Sequence, residues 1–115
     1  MKKYTKSEVE SLKIDAENKF KKFSNDILNE FLEYLKEGNS INVVFNKKEE
    51  LSYQLSNFIE INYPKTDEFF INEDMKYTVD TQIYVHLLIN QFLPIRKKLS
   101  KLYQEHLSNV RDSNP

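Results

Sequence analysis

The chain has 115 residues, 39% hydrophobic and 30% charged, with a net charge of −1 and no cysteine. This composition predicts one soluble domain over residues 1–115 and excludes disulfides, cysteine-ligated zinc and thiol nucleophiles. A single glycine excludes a Gly-rich phosphate loop, a dinucleotide fingerprint and a G-x-S-x-G nucleophile elbow.

The N-terminal MKKYTKSEVESLK carries lysines with no apolar run behind them, so it does not read as a secretory signal. Residues 1–4 and 112–115 are expected to be disordered tails. Thr5 with Glu8, overlapped by Ser7 with Glu10, offers a capping box for a helix start. From there Val9, Leu12, Ala16, Phe20, Phe23, Ile27, Phe31 and Leu35 recur at steps of three and four, which places them on one face of a helix over about 6–37. Gly38 follows the last apolar residue, where a left-handed backbone closes a helix at least cost.

Ile41–Phe45 (INVVF) is short, β-branched and aromatic, and reads as a buried strand. Asn46 with Glu49 repeats the capping pattern, and Leu51, Leu55, Phe58 and Ile59 keep helical spacing, predicting a helix over about 47–62 that Pro64 ends. Phe69–Ile71 and Met75–Val79 read as two short strands around Asn72-Glu73-Asp74. The rival reading is a polar loop leading straight into a helix.

Two periods compete in the last third. Tyr77, Val79, Thr81, Ile83, Val85 and Leu87 alternate, whereas Val85, Leu88, Phe92, Ile95, Leu99, Leu102, His106 and Val110 step by three and four. The longer helical run predicts a helix over about 81–110, capped by Asp80 and kinked at Pro94. The expected fold is therefore α+β and helix-dominated. Two long antiparallel helices, about 6–37 and 81–110, would carry a small head of one helix and short strands over 39–80. The alternative is an all-α bundle. Antiparallel pairing is favoured because it brings together the wide ends of the two apolar stripes, around Ile27–Leu35 and Ile83–Leu93. The thin remaining stripes make a two-helix stalk that a homodimer would complete.

Charge follows the same division. Residues 1–22 carry seven Lys against four acids, 95–115 five basic residues against two acids, and 23–94 five Lys against twelve acids. An acidic head displaying Glu49, Glu50, Glu60, Asp67, Glu68, Glu73 and Asp74 would meet a protein with a basic surface. The basic positions Lys19, Lys22, Arg96, Lys97, Lys98 and Lys101 support the alternative, a nucleic-acid-binding regulator. Charged helix faces usually serve only solubility.

Catalytic equipment is sparse. His86 and His106 are isolated and lack metal-site spacing, and the acids at 67–68 and 73–74 lack the glycine of a calcium loop. No catalytic residue, cofactor or metal is predicted. No apolar run is long enough to span a bilayer, so a cytoplasmic location without a membrane partner is expected. Tyr53, Tyr63, Tyr77 and Tyr84 could form an interface if exposed. Small, charge-polarised, cysteine-free domains of this kind resemble, by analogy alone, inhibitors, adaptors and immunity-type proteins of bacteria, phages and other mobile elements. The expected function is a non-enzymatic protein-binding module.

Overall fold

The computed structural model describes residues 4–64 and 79–112. They form helix α1 (Lys6–Lys36), α2 (Ile41–Asn62), α3 (Val79–Leu87) and α4 (Leu93–Asp112), with a π-turn over Leu88–Phe92 joining the last two into one continuous helical run. There is no strand among the described residues, so the fold is all-helical and the α+β expectation fails. Two parts of the expected head, the strands at 69–71 and 75–78, lie outside the described residues. So do residues 1–3 and 113–115 of the expected tails.

α1 begins and ends where the sequence marks it. Thr5 Oγ1 accepts from the Glu8 N–H at 3.1 Å while the Glu8 carboxylate reaches back to the Thr5 N–H, closing the capping box. At the other end Glu37 N–H donates to the Tyr34 carbonyl, and Gly38 takes φ +73°, a region most side chains avoid.

The strand expected at Ile41–Phe45 is instead the first turn of α2. Ser40, extended at φ −62° and ψ 157°, is the N-cap, and its hydroxyl accepts from the Val43 N–H at 3.4 Å. Asn46, the expected cap, lies inside the helix and is exposed. β-Propensity loses because burial decides. Val44 is 0% exposed and continues the inward face of Leu51, Leu55 and Ile59, whereas Val43 (41%) and Phe45 (42%) stay outside. The C-terminal end lies where expected, since α2 stops at Asn62, although Tyr63 ahead of Pro64 takes φ −135° and ψ 70° rather than an extended conformation.

Specific contacts fix the direction of each helix. Lys47 bridges to Glu30, and Phe58 stacks on Phe23 at 4.6 Å, so α2 runs antiparallel to α1. Phe45 meets Tyr103 edge-on at 5.7 Å, and Asp80 lies close enough to Tyr63 to act on it electrostatically, so the third run is antiparallel to α2. It is therefore parallel to α1, with His86 hydrogen-bonded to Glu17. The expected antiparallel pairing of first and last helices is overturned. Its cause is the short connection at 37–40, which folds α2 back along α1 and leaves the third helix to return in the original direction. The product is an up-down-up bundle 65 × 23 × 18 Å in extent. The thin two-helix stalk, which was the reason to expect a homodimer, does not exist, because α2 supplies the third helix. The core runs through all three helices and includes Phe20, Phe31, Val44, Leu51, Leu55, Ile59, Leu87 and Leu99, each 0% exposed.

Val79 and Asp80 begin α3 rather than end a strand or cap a helix. Pro94 lacks an N–H and cannot bond the carbonyl four residues back. Just before it, the Leu93 N–H donates to the Leu88 carbonyl, five residues back, in the π-turn. The extra residue in that turn shifts the inward positions. Before the turn Ile83 and Leu87 face the core and Val85 lies outside, whereas from the turn onward the expected stripe holds, with Phe92 and Leu99 buried and Leu88, Ile95 and Leu102 packed against the core.

His106 sits half-buried on α4, and its Nε2 has no hydrogen-bond partner among the described residues. Leaving a buried polar atom unsatisfied costs on the order of 1–3 kcal/mol. Replacing His106 by Leu is accordingly expected to stabilise the fold by about 1 kcal/mol. A thermal melt checks it, with an expected rise of roughly 4 °C.

Candidate functional site

Among the described residues no cluster of three or more His, Asp or Glu side chains could hold a metal. Nor is any helix long and apolar enough to cross a membrane. Both histidines sit at packing positions. The His86 ring lies between Glu17 on Nε2 and Asn90, whose Nδ2 is 3.2 Å from Nδ1 and also donates to the His86 carbonyl at 3.0 Å. An amide nitrogen against Nδ1 makes that atom the acceptor and leaves Nε2–H to donate to the carboxylate. This arrangement ties α3 to α1.

The acidic candidates divide. Asp67, Glu68, Glu73 and Asp74 lie outside the described residues. Glu49, Glu50 and Glu60 are exposed on α2, but Glu49 pairs with Lys48 at 3.2 Å and Glu50 with Lys47 at 3.8 Å while also accepting from Gln54. Of the three, only Glu60 has no internal partner among the described residues. Tyr53 is exposed, Tyr63 and Tyr84 are half-buried, and Tyr77 is outside the described residues.

The basic candidates do not share one surface either. Parallel packing with Glu17 level with His86 puts Lys19 and Lys22 roughly 10–20 Å along the rod from Arg96–Lys101. Lys19 pairs with Asp15 at 3.1 Å and lies near Tyr63, on the α1–α2 flank. Its charge is already matched, and that partner raises its pKa. Lys47 is likewise engaged: Glu30 at 3.1 Å raises its pKa, and its Nζ lies 5.5 Å from the Tyr34 ring centre. Lys48 covers the Phe45 and Tyr103 rings at 4.8 and 5.3 Å. Burial pushes the Tyr63 phenol up from its ordinary value of 10.0. For Lys47 and Tyr63 alike, a pKa raised by folding contributes stability below the unfolded value that is lost as pH rises through the folded one. The melting temperature is expected to fall as pH passes 10.0 and then 10.5, and Lys47→Met should weaken the upper part of that decline in a pH series of thermal melts.

Arg96, Lys97, Lys98 and Lys101 differ from these lysines. All four are exposed, none forms an ion pair among the described residues, and α4 carries no acid before Glu105. Directly N-terminal to them, Val85 (43% exposed), Ile89 (57%) and Leu93 (43%) form a row at i, i+4 and i+8 that faces away from the core. Ile89, Leu93, Pro94, Arg96, Lys97 and Ser100 line an open depression of about 670 Å³. The third helical run thus carries a solvent-exposed aliphatic row followed by four exposed cations that have no ion-pair partner among the described residues.

Val85, Ile89 and Leu93 are visible in the sequence only as part of an apolar stripe that is too wide. α1 and α2 occupy Ile83, Leu87 and Phe92, and the surplus width is the outer row. No protein-family model matches the chain, and no curated protein or solved structure matches it either.

Proposed function

We propose that the protein is a non-enzymatic protein-binding module of the inhibitor or adaptor kind, docking its partner on the outer face of the third helical run. The observation that carries this reading is the exposed row Val85, Ile89 and Leu93 beside Arg96, Lys97, Lys98 and Lys101, which have no ion-pair partner among the described residues. Three aliphatic side chains held in water by a helix whose other face is fully packed add nothing to this fold, and contiguous exposed apolar surface of this kind marks interaction sites. The face differs from the acidic surface expected from sequence, where Glu49 and Glu50 spend their charge on Lys48 and Lys47. A nucleic-acid interface is the second reading, since the same four cations suit phosphates. Val, Ile and Leu, however, offer bases no ring to stack on.

Photo-crosslinking in the native host tests the proposal. A photoreactive residue is placed in turn at Ile89, Glu60 and Lys22, and half of each sample is treated with nuclease. The expected result is a nuclease-resistant protein adduct from position 89 alone. An adduct only from position 60 would return the site to the acidic face, and a nuclease-sensitive one would favour nucleic acid.

A further inference from the structure

We infer that the partner element is an acidic amphipathic helix, lying along the third helical run with its apolar residues on Val85, Ile89 and Leu93 and its carboxylates on Arg96, Lys97 and Lys101. The inference rests on the docking reading above and adds the chemistry of what docks. Three apolar positions over two helical turns extend roughly 12 Å, which matches the i, i+3/i+4, i+7 anchors by which a helix seats in a groove. The depression between Ile89 and Ser100 takes a protruding side chain, which a flat surface cannot supply. The stronger constraint is charge. Among the described residues Lys13, Lys19, Lys36, Lys47 and Lys48 have carboxylate partners, whereas the cations that border the apolar row, like Lys6, Lys21 and Lys22 on α1, have none. Of these, only the α4 cations stand beside an exposed aliphatic row. A basic or neutral occupant would leave them facing one another across a desolvated contact, while an acidic one neutralises them and gains directed association.

The test is a selection from a displayed library of random peptides about 16 residues long, four to five helical turns. The full chain is the target, and Ile89→Glu is the counter-selection variant. Enriched peptides are expected to carry large apolar residues at i, i+3/i+4 and i+7 followed by Asp or Glu. A synthetic representative should lose roughly tenfold or more in affinity, the scale of an interface hot spot, on Ile89→Glu and separately on Lys97→Glu/Lys101→Glu. Exchanging its acids for lysines should restore binding to the second variant. Val85→Glu serves in place of Ile89→Glu if circular dichroism shows that variant to be misfolded.

Peptides without acidic residues, or full affinity for the lysine-reversal variant, would overturn the inference while leaving a protein adduct from position 89 intact. So would binding of a labelled single-stranded oligonucleotide or an anionic vesicle that the same reversals abolish when no acidic peptide is enriched.

Discussion

Phe31→Ala is expected to lower the unfolding free energy by about 3–5 kcal/mol, through the lost transfer energy of the ring and the cavity left behind. Phe31 is 0% exposed and sits in the part of α1 that α2 and α4 both cover, between Glu30, which bridges to Lys47, and Tyr34, whose ring lies under the same lysine. With neighbours on both sides the site cannot easily collapse, which places the cost toward the upper end of that range. A domain of this size has a total stability of roughly 5–15 kcal/mol, so the variant should melt on the order of 15 °C lower and unfold in correspondingly less denaturant. An unchanged melting temperature would mean that the α1 stripe is not the core. Leu12→Ala makes a control in the same stripe. Leu12 is partly exposed near the free end of α1, so its loss should cost less than half as much.

Val44→Asp against Val43→Asp is the second large contrast, and it separates two readings of one segment. Val44 is fully buried, and a carboxylate there would have no partner among Leu51, Leu55 and the other apolar side chains of the core. An unpaired buried charge of this kind costs about 4 kcal/mol or more. Val43 faces out at 41% exposure, and the same substitution there should stay within about 1 kcal/mol. A strand over Ile41–Phe45 would put Ile41, Val43 and Phe45 on one face and Val44 on the other, reversing the order. Chemical denaturation of the two variants distinguishes them, with the helical account requiring the larger loss at Val44.

These two substitutions also mark what the sequence made legible. α1 could be read almost to the residue because its signals are local: a capping box at Thr5 and Glu8, one apolar stripe, and Gly38 where φ must be positive. The end of α2 before Pro64 was readable for the same reason. The start of α2 was not. β-Branched residues in INVVF suggested a strand, while the deciding facts, the Ser40 cap and the burial of Val44 against distant helices, are tertiary. Missing that start hid the turn at 37–40, and with it the direction of every later element. In the third run the helical stripe reads correctly from Leu88 onward, and the part it misplaces, Val85 outside with Ile83 and Leu87 inside, lies ahead of the π-turn, whose inserted residue a regular helical template cannot register. The candidate surface was hidden in a similar way. Its four cations are visible in sequence, but their lack of partners among the described residues is not. Lys19 and Lys97 look alike until Asp15 is found 3.1 Å from the first.

The parallel course of the third helical run along α1 places Val85, Ile89 and Leu93 on an outer face and sets Lys19 and Lys22 apart from Arg96–Lys101. The chain has no cysteine, so spin labels can be attached at chosen pairs without background, and double electron–electron resonance reads their separation in solution. Position 101 is paired with 33 in one sample and with 15 in the other. Parallel packing puts Lys101 nearly level with Glu33 and displaces it by roughly 25 Å along the axis from Asp15. The 33/101 distance is therefore predicted to be clearly the shorter of the two. A shorter 15/101 distance would mean that the first and last helices run antiparallel, and would contradict the arrangement from which the docking face follows.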